Sequence, residues 1–388
     1  MKKFSILLLF LPMLLAARPL SNQARISLIT CAPGNEIYSA FGHSAIRVYD
    51  PLNRIDMVYG YGTFDFSDPM FLPKFIQRDL MYFLDVDQYP QFKYAYEYFQ
   101  RSFDEQIFDL DSAQNQRIYD FLENNMRPEN RFYLYDFFFD NCATRIRDVV
   151  YNELEGELII PNKDEPSEFT FRNILDQYLM ESPWMDFGID LALGAVVDVK
   201  ATPWEQTFHP DYLSSVIGGA SLKNGKALVA NKQNLYNAPS PLTKGNPFTA
   251  PLTISIIALL AVGFFSWKNR ELAKKRFIGD GIFFTVLGLG GLLLFFLWFG
   301  TDHIATKQNW NLLWFLPTHL VAGILLFRKN KAPWLKTYFI ISGGMAVLVL
   351  LGWYVIPQAF HIAFIPLLLI IALRAWILFK KLPAEVKT

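Results

Sequence analysis

Cysteine is nearly absent: the 388 residues contain two, Cys31 and Cys142. That excludes a disulfide-stapled scaffold and leaves either a single bridge or two thiols with separate duties. Histidine is scarce as well. The five residues, His43, His209, His303, His319 and His361, show no ligand spacing, so no metal and no cofactor is implied. A basic surplus is missing, because acids and bases balance to zero net charge, and no nucleic-acid partner is expected. No wall-binding repeat interrupts the chain.

Apolar bulk is what the chain does have. The hydrophobic fraction is 52% and phenylalanine alone supplies 36 residues, unevenly placed. Most charge lies before residue 248 and most long apolar runs lie after it. At the extreme N-terminus Lys2 and Lys3 precede an apolar run, Phe4 to Leu15, and a small-residue pair, Ala16-Ala17. This reads as a secretory signal over residues 1–19, with an uncleaved anchor as the alternative; either places the next segment outside the cytoplasm. Five runs approach the ~20 apolar residues that span a bilayer: 249–267, 278–299, 310–327, 336–356 and 361–379. Lysine and arginine cluster at 268–276, 328–336 and 380–387, while 300–309 and 357–361 carry few. The positive-inside rule therefore places everything before Thr249 outside and the C-terminus in the cytoplasm. The expected domains are an exported unit over 20–220, a Gly/Asn/Lys/Ser/Pro-rich tether over 221–248, a five-span domain over 249–380 and a cytoplasmic tail over 381–388. Asp280, near the inner end of the second run, reads as snorkelling.

The exported unit mixes strands and helices. Arg25 to Cys31 is strand-like. Ile37 to Tyr49 and Ile55 to Tyr61, separated by Asp50-Pro51-Leu52-Asn53, read as a hairpin. Tyr94–Phe99 and Ser112–Asn125 read as helices, the second capped by Ser112, with a strand over Ser102–Leu110 between them. Asp140 suits an N-cap for a helix carrying Ile146, Val149 and Val150, which puts Cys142 in its first turn, where backbone N–H groups favour a thiolate. An imidazole is needed to take a thiol proton and return it to a leaving group, and strand-borne His43 is the candidate. Cys142 as a structural thiol and His43 as a satisfied polar residue are the bland alternatives.

The flanking residues go further. Phe41-Gly42-His43-Ser44-Ala45-Ile46-Arg47, with Asp140-Asn141-Cys142 far downstream, resembles the circularly permuted papain-like group that includes lecithin:retinol acyltransferase relatives and NlpC-type hydrolases. Together with Tyr59-Gly-Tyr-Gly-Thr-Phe-Asp-Phe66, Tyr135 to Asp148 and the multi-span tail, the chain is similar to the Lnb-type lipoprotein N-acyltransferase family. The resemblance implies an α+β permuted papain-like (NlpC/LRAT-like) exported domain followed by an all-α bundle of five transmembrane helices, in a bacterial inner membrane. It implies transfer of a fatty acyl chain from a phospholipid, through a thioester on Cys142, to the α-amine of a diacylglyceryl-cysteine lipoprotein. Phospholipid donor, diacylated lipoprotein acceptor and bilayer are then the partners. Rival readings are an NlpC-like peptidase or amidase acting on cell-wall peptides and a non-catalytic membrane scaffold. The second strand has Gly60 where the family often has Asn, at the position an idealised hairpin sets opposite His43. Tyr61, Asp65 and Asn141 are substitutes for orienting the imidazole. Arg47 and Arg145 could bind a phosphodiester, since guanidinium matches phosphate oxygens; pairing with Asp136, Asp140 or Asp148 is the alternative. His303 and Asn309, in the polar run Thr301 to Asn311, are candidates for headgroup or peptide recognition, against a solvated loop anchored by Trp310.

Overall fold

The computed structural model describes residues 19–239, 246–268 and 277–383. Residues 1–18 of the expected 1–19 signal, most of the first basic loop and all but the start of the expected tail lie outside them. Alternating and β-branched sequence in the N-terminal half forms strands β1 (Arg25–Cys31), β2 (His43–Asp50), β3 (Ile55–Thr63), β4 (Met81–Gln88), β5 (Phe103–Phe108), β6 (Phe132–Leu134) and β9 (Val229–Tyr236). They make one antiparallel sheet in the order β6-β4-β3-β2-β1-β5-β9, and a two-residue pair, β7 (Leu158–Ile159) and β8 (Ser221–Leu222), stands apart. The hairpin expected around Asp50-Pro51 is β2–β3, although Ile37–Ser39 forms a 3-10 turn instead of extending the strand.

Helices of this half are α1 (Phe71–Gln77), α2 (Tyr89–Tyr98), α3 (Ser112–Asn125), α4 (Cys142–Glu153), α5 (Phe171–Leu179), α6 (Pro183–Ala192), α7 (Pro203–Gln206) and α8 (Pro210–Gly218). The period-2 alternation of the strands splits the core. Ile26, Leu28, Ile46, Val48 and Tyr59 face α3, α4 and α8 through Ile118, Ile146 and Leu213. Ile29, Cys31, Ala45 and Val58 face the other way, onto Phe92 of α2 and Phe103. Asp111, not Ser112, caps α3, because its carboxylate accepts the Gln114 N–H while Gln114 reaches back to close a capping box.

The stretch expected as a tether begins inside the fold. Val229–Tyr236 is an edge strand, and its polar residues pair with carboxylates of β5: Gln233 with Glu105 at 2.7 Å, Asn234 with Asp104 at 2.7 Å and Lys232 with Asp104 at 3.6 Å. A sheet edge tolerates polar and charged side chains that a central strand would not, and so its composition looks like a linker's.

After residue 246 the described chain is helical: α9 (Pro251–Lys268), α10 (Ile278–Phe299), α11 (His319–Leu325), α12 (Trp334–Leu351) and α13 (Phe364–Lys381). Among the described residues α9, α10 and α12 are long and apolar enough to cross a membrane. The run 310–327 is not one helix. It is a 3-10 turn, Trp310–Leu313, then Pro317 and the seven residues of α11. Proline lacks the N–H and clashes with the preceding turn, so the helix restarts only beyond it. Glycines let this segment lie directly on α10: a Cβ on Gly288 would stand 1.9 Å from the Leu320 nitrogen, and one on Gly291 2.1 Å from the Phe315 carbonyl oxygen. Asp280 is not a snorkelling residue; it forms a bidentate pair with Arg374 of α13 at 2.6 and 2.7 Å.

Three connections of the helical half touch the N-terminal half. Trp184 donates to the Thr249 carbonyl, ahead of α9. The loop after α10 reaches the end of α6: Gly194 N–H bonds the Ala305 carbonyl at 2.9 Å and Asn309 donates to the Leu191 and Ala192 carbonyls at 2.9 and 3.0 Å. Between α12 and α13, Gln358 donates to the Leu193 carbonyl and His361 sits 3.4 Å from Asp186. Buried Arg172 fixes the surface they land on, bonding Asp190, Asp198 and the Leu193 and Gly194 carbonyls.

Candidate active site at the start of helix 4

Cys142 is held by the cap before it. The turn Asp136–Asp140 closes on itself through reciprocal 3.0 Å backbone bonds. Asn141 then caps α4, where Asp140 was expected: its side-chain Oδ1 accepts the Ala143 and Thr144 N–H groups at 2.9 Å, and the Thr144 hydroxyl accepts the Asn141 backbone N–H. The amide NH2 of Asn141 donates to the Phe137 and Phe208 carbonyls at 2.6 and 2.8 Å. All the polar capacity of Asn141 therefore serves position, and it is not free to orient the imidazole. Asn141→Ala removes the cap and strands two buried carbonyls, so it is expected to destabilise by about 1–2 kcal/mol for the cap alone; a lower thermal midpoint in detergent and slower iodoacetamide labelling of Cys142 in the protein that remains folded are the readouts.

The sulfur of Cys142 faces three backbone N–H groups, those of Ser44, Ala143 and Cys142 itself. Burial pushes the thiol up from its ordinary range, and these donors, with Arg101, pull it back. The Ser44 contact puts the sulfur beside the residue immediately after His43. His43 is half-buried at the first position of β2. Burial first, and then the charge of Arg101, lower its imidazole to about 4, so the ring is neutral at pH 7 and able to accept a proton. Arg101, which bonds the Ala32 carbonyl at 2.9 and 3.0 Å, thus acts on both residues. Among the described residues no hydrogen bond joins the His43 ring to the sulfur.

Cys31 is the contrasting thiol. It is free, wholly buried at the last position of β1, hydrogen-bonded with Tyr96, and pushed up to about 12 by burial. Cys142 is free too, so the two do not form a bridge. Glycines shape the space above the pair. A Cβ on Gly60 would lie 3.2 Å from His43 Nε2, so the ring itself occupies the place a side chain on the second strand would take. Gly60 pairs with Ala45 and not with His43, because four residues, not two, separate β2 from β3. Gly62, at φ +96°, leaves a gap bordered by Cys142 Cβ and Tyr135 at 3.7 Å and the Tyr133 hydroxyl at 3.9 Å. That hydroxyl is buried with no hydrogen-bond partner among the described residues.

Residues 19–177 match the family model of the Lnb N-terminal periplasmic domain, and residues 243–382 match that of the Lnb transmembrane domain. The chain belongs to the Lnb-type family. It is accordingly a lipoprotein N-acyltransferase-like membrane protein with a periplasmic N-terminal domain. No curated protein and no solved structure matches it.

Against this family background, several expected roles change. Tyr61 is buried on the α3 face and donates to Asn125 Oδ1 at 2.6 Å, away from the imidazole, and Asp65 accepts from Ser67 in an exposed turn. Alternation explains Tyr61: it shares a face with Tyr59, whereas Gly60 shares that of Ala45. Arg47 is buried between Asp56 at 2.7 Å and Glu105 at 3.2 Å, with its guanidinium 3.4 Å from the Tyr89 ring centroid. It is a sheet-face ion pair, each of its three nitrogens bonded to a carboxylate. Arg145 is bidentate to Asp140 at 2.6 and 2.8 Å and lies over Tyr133; a cleft of about 420 Å³ beside it, bordered by Tyr61, Phe139 and Asp148, includes neither Cys142 nor His43. Asn309 is buried as the α6 clasp described above, and His303 bonds the Phe75 carbonyl at 3.1 Å. Both join the two halves of the chain.

Sequence reasoning assigned no role to Arg101, Gly62, Tyr133 or Tyr135, although Gly62 and Tyr135 stand in the runs that carry the family resemblance. It also missed His209, which caps α8 near Phe41 and has a buried Nε2 without a partner among the described residues. Burial lowers His209 to about 3. Asp176, Asp186 and Asp190 converge below the α6 clasp, where burial, then Asp190 and Asp186, raise Asp176 to about 7.

Proposed function

We propose that the chain is a lipoprotein N-acyltransferase whose nucleophile is Cys142 and whose base is His43. The observation that carries the reading is the sulfur at the first residue of α4, facing three backbone N–H groups one residue from a neutral imidazole. The family supports an acyltransferase of this class. His43 takes the thiol proton, through a water or a turn of the ring as substrate enters, since catalytic contacts tighten on binding. The thiolate attacks a phospholipid ester carbonyl; the C–S bond forms, the ester C–O bond breaks, and His43 returns the proton to the departing lysophospholipid oxygen. The helix-start N–H groups hold the oxyanion. The α-amine of a diacylglyceryl-cysteine lipoprotein then attacks the thioester. A C–N bond forms, the C–S bond breaks, and the amine proton passes by way of His43 to the sulfur.

In this reading the N-terminal unit is a permuted papain-like domain, and the helical half crosses the inner membrane five times, the broken segment 310–327 being the third crossing. A cleaved or retained signal over 1–19 exports the domain, and the C-terminus is cytoplasmic. Support comes from the connections before α9, after α10 and before α13, which meet the same periplasmic half, as odd-numbered crossings require. The tether shortens to residues after β9. Both substrates are membrane-anchored, which accounts for a catalytic domain fastened at three places to a span bundle.

The test is single-turnover reaction with phospholipid alone. A hydroxylamine-labile acyl group on the peptide containing Cys142 is expected by mass spectrometry, and then, on adding diacylated lipopeptide, its transfer to the N-terminal amine. Altered muropeptides with unchanged lipoprotein N-termini in cells lacking the chain would favour the cell-wall hydrolase instead, and no change in either would leave a scaffold.

A further inference from the structure

Helix α1 has no buried residue, although it is largely apolar. Leu72 is 61% and Phe75 48% exposed, and Phe66 and Met70 in the loop before them are 64% and 53% exposed. This surface is not isolated. Its rings run in contact toward Cys142: Phe75 to Phe71 at 6.1 Å, Phe71 to Phe64 at 5.6 Å, Phe64 to Tyr82 at 5.0 Å, and Tyr82 stacked on Tyr135 at 4.5 Å. Tyr135 borders the Gly62 gap that opens on Cys142. At its other end the row is bonded to the edge of the span bundle. His303 bonds the Phe75 carbonyl at 3.1 Å and Arg78 donates to the Asp302 carbonyl at 3.0 Å, three or four residues beyond the end of α10.

We propose that α1 and the loop before it lie in the outer leaflet of the bilayer, and that the aromatic row conducts a lipid acyl chain from there to Cys142. The surface rests on the exposed apolar helix and its continuity with a membrane-spanning helix; the conduction rests on the acyltransferase reading above. A short helix with an apolar face at the interface sinks its side chains among the first acyl carbons, and an unbranched chain needs only a largely apolar wall to travel along, which three phenylalanine and two tyrosine rings supply. A protein partner is the weaker occupant, because a surface fastened to the outer end of α10 is already at the lipid interface.

The experiment uses the full chain in vesicles of palmitoyl-oleoyl phosphatidylcholine and phosphatidylglycerol, with the photo-cross-linker p-benzoylphenylalanine at Leu72. The control site is Leu52, equally exposed in the β2–β3 turn, at the opposite end of the strands from Cys142. A one-phospholipid mass adduct at position 72, about tenfold above position 52, is expected. Equal labelling at the two sites, or an adduct of position 72 with a second copy of the chain or with lipopeptide, overturns the surface. The same adduct is expected in a Cys142→Ser background, which separates the surface from catalysis; lipid contact by the parent chain with no acyl transfer from it sinks the enzyme reading and leaves the surface standing. For delivery from the bilayer, the pair Met70→Asp and Leu72→Asp, exposed and outside the row of rings, is expected to slow acylation about tenfold with vesicle-embedded donor and to leave it unchanged with a short-chain ester dispersed in detergent. Equal loss with both donors overturns the acyl path.

Discussion

Exchanging Cys142 for serine is expected to lower lipopeptide N-acylation by at least about a thousandfold, the scale on which removal of a nucleophile acts when its partners remain. A hydroxyl fits the space of the thiol and keeps the N–H groups of Ser44, Ala143 and residue 142 as neighbours, so the fold is retained. What fails is the proton transfer. An imidazole held at about 4 is a weak base, adequate for a thiol that three N–H donors and Arg101 help to ionise, and inadequate for an alcohol. Cys31→Ser is the internal control. That thiol lies within the sheet, 0% exposed, and burial holds it at about 12, so the rate per folded molecule is expected to stay within about threefold of the parent. The measurement is the rate of triacylated product in reconstituted vesicles, normalised to folded protein by circular dichroism. Comparable losses in the two variants, or more than a tenth of parental activity in Cys142→Ser, would remove Cys142 as the nucleophile.

The parts of this fold legible in the sequence are those written in local chemistry. Asp50-Pro51 between two β-branched runs specifies the β2–β3 hairpin, and apolar spacing after Cys142 specifies α4 with the sulfur at its start. Elsewhere a long-range partner decided the outcome. The edge strand Val229–Tyr236 is polar because β5 offers it carboxylates from 128 and 130 residues away, and nothing local distinguishes it from a linker. The run 310–327 has the hydropathy of a span, yet Pro317 and the glycines of α10 turn it into two short pieces laid against a neighbour. At the site, strand parity placed Tyr61 on the wrong face for His43, and a loop two residues longer than the tightest hairpin set Gly60 opposite Ala45 in place of His43. Arg47, Arg145, His303 and Asn309 are residue types that suit ligands, and each has a partner already in Asp56, Asp140, Phe75 and α6. Arg101 could not have been read in advance, since its influence depends on Ala32 bringing a guanidinium to the end of the sheet where His43 and Ser44, the sulfur's neighbour, lie.

Those same electrostatics fix the second large effect. A burial-lowered imidazole is protonated only below about pH 4, and a burial-raised thiol stays protonated through neutrality, so the resting pair is neutral imidazole and neutral thiol. This resting state sets the sign of the pH dependence. The rate of lysophospholipid release in the first half-reaction is expected to rise with pH through about 4, as His43 loses its proton and becomes able to accept one, and then to hold a plateau past pH 8. A thiolate–imidazolium ion pair would behave differently on the alkaline side, losing rate as the imidazolium gave up its proton. Replacing His43 by glutamine is expected to slow this step by about a hundredfold to ten-thousandfold at neutral pH, the range general-base catalysis supplies. It is also expected to convert the plateau into a slope, the residual rate climbing with hydroxide because the thiol must then ionise unaided. A His43→Gln profile that keeps the parental plateau would show that some other base serves Cys142, and buried, unpartnered His209 would be the residue to replace next. Arg101→Gln gives an independent reading of the same field: with the cation gone, the acid limb is expected to move upward from about 4, while a limb that does not move would leave burial as its sole cause.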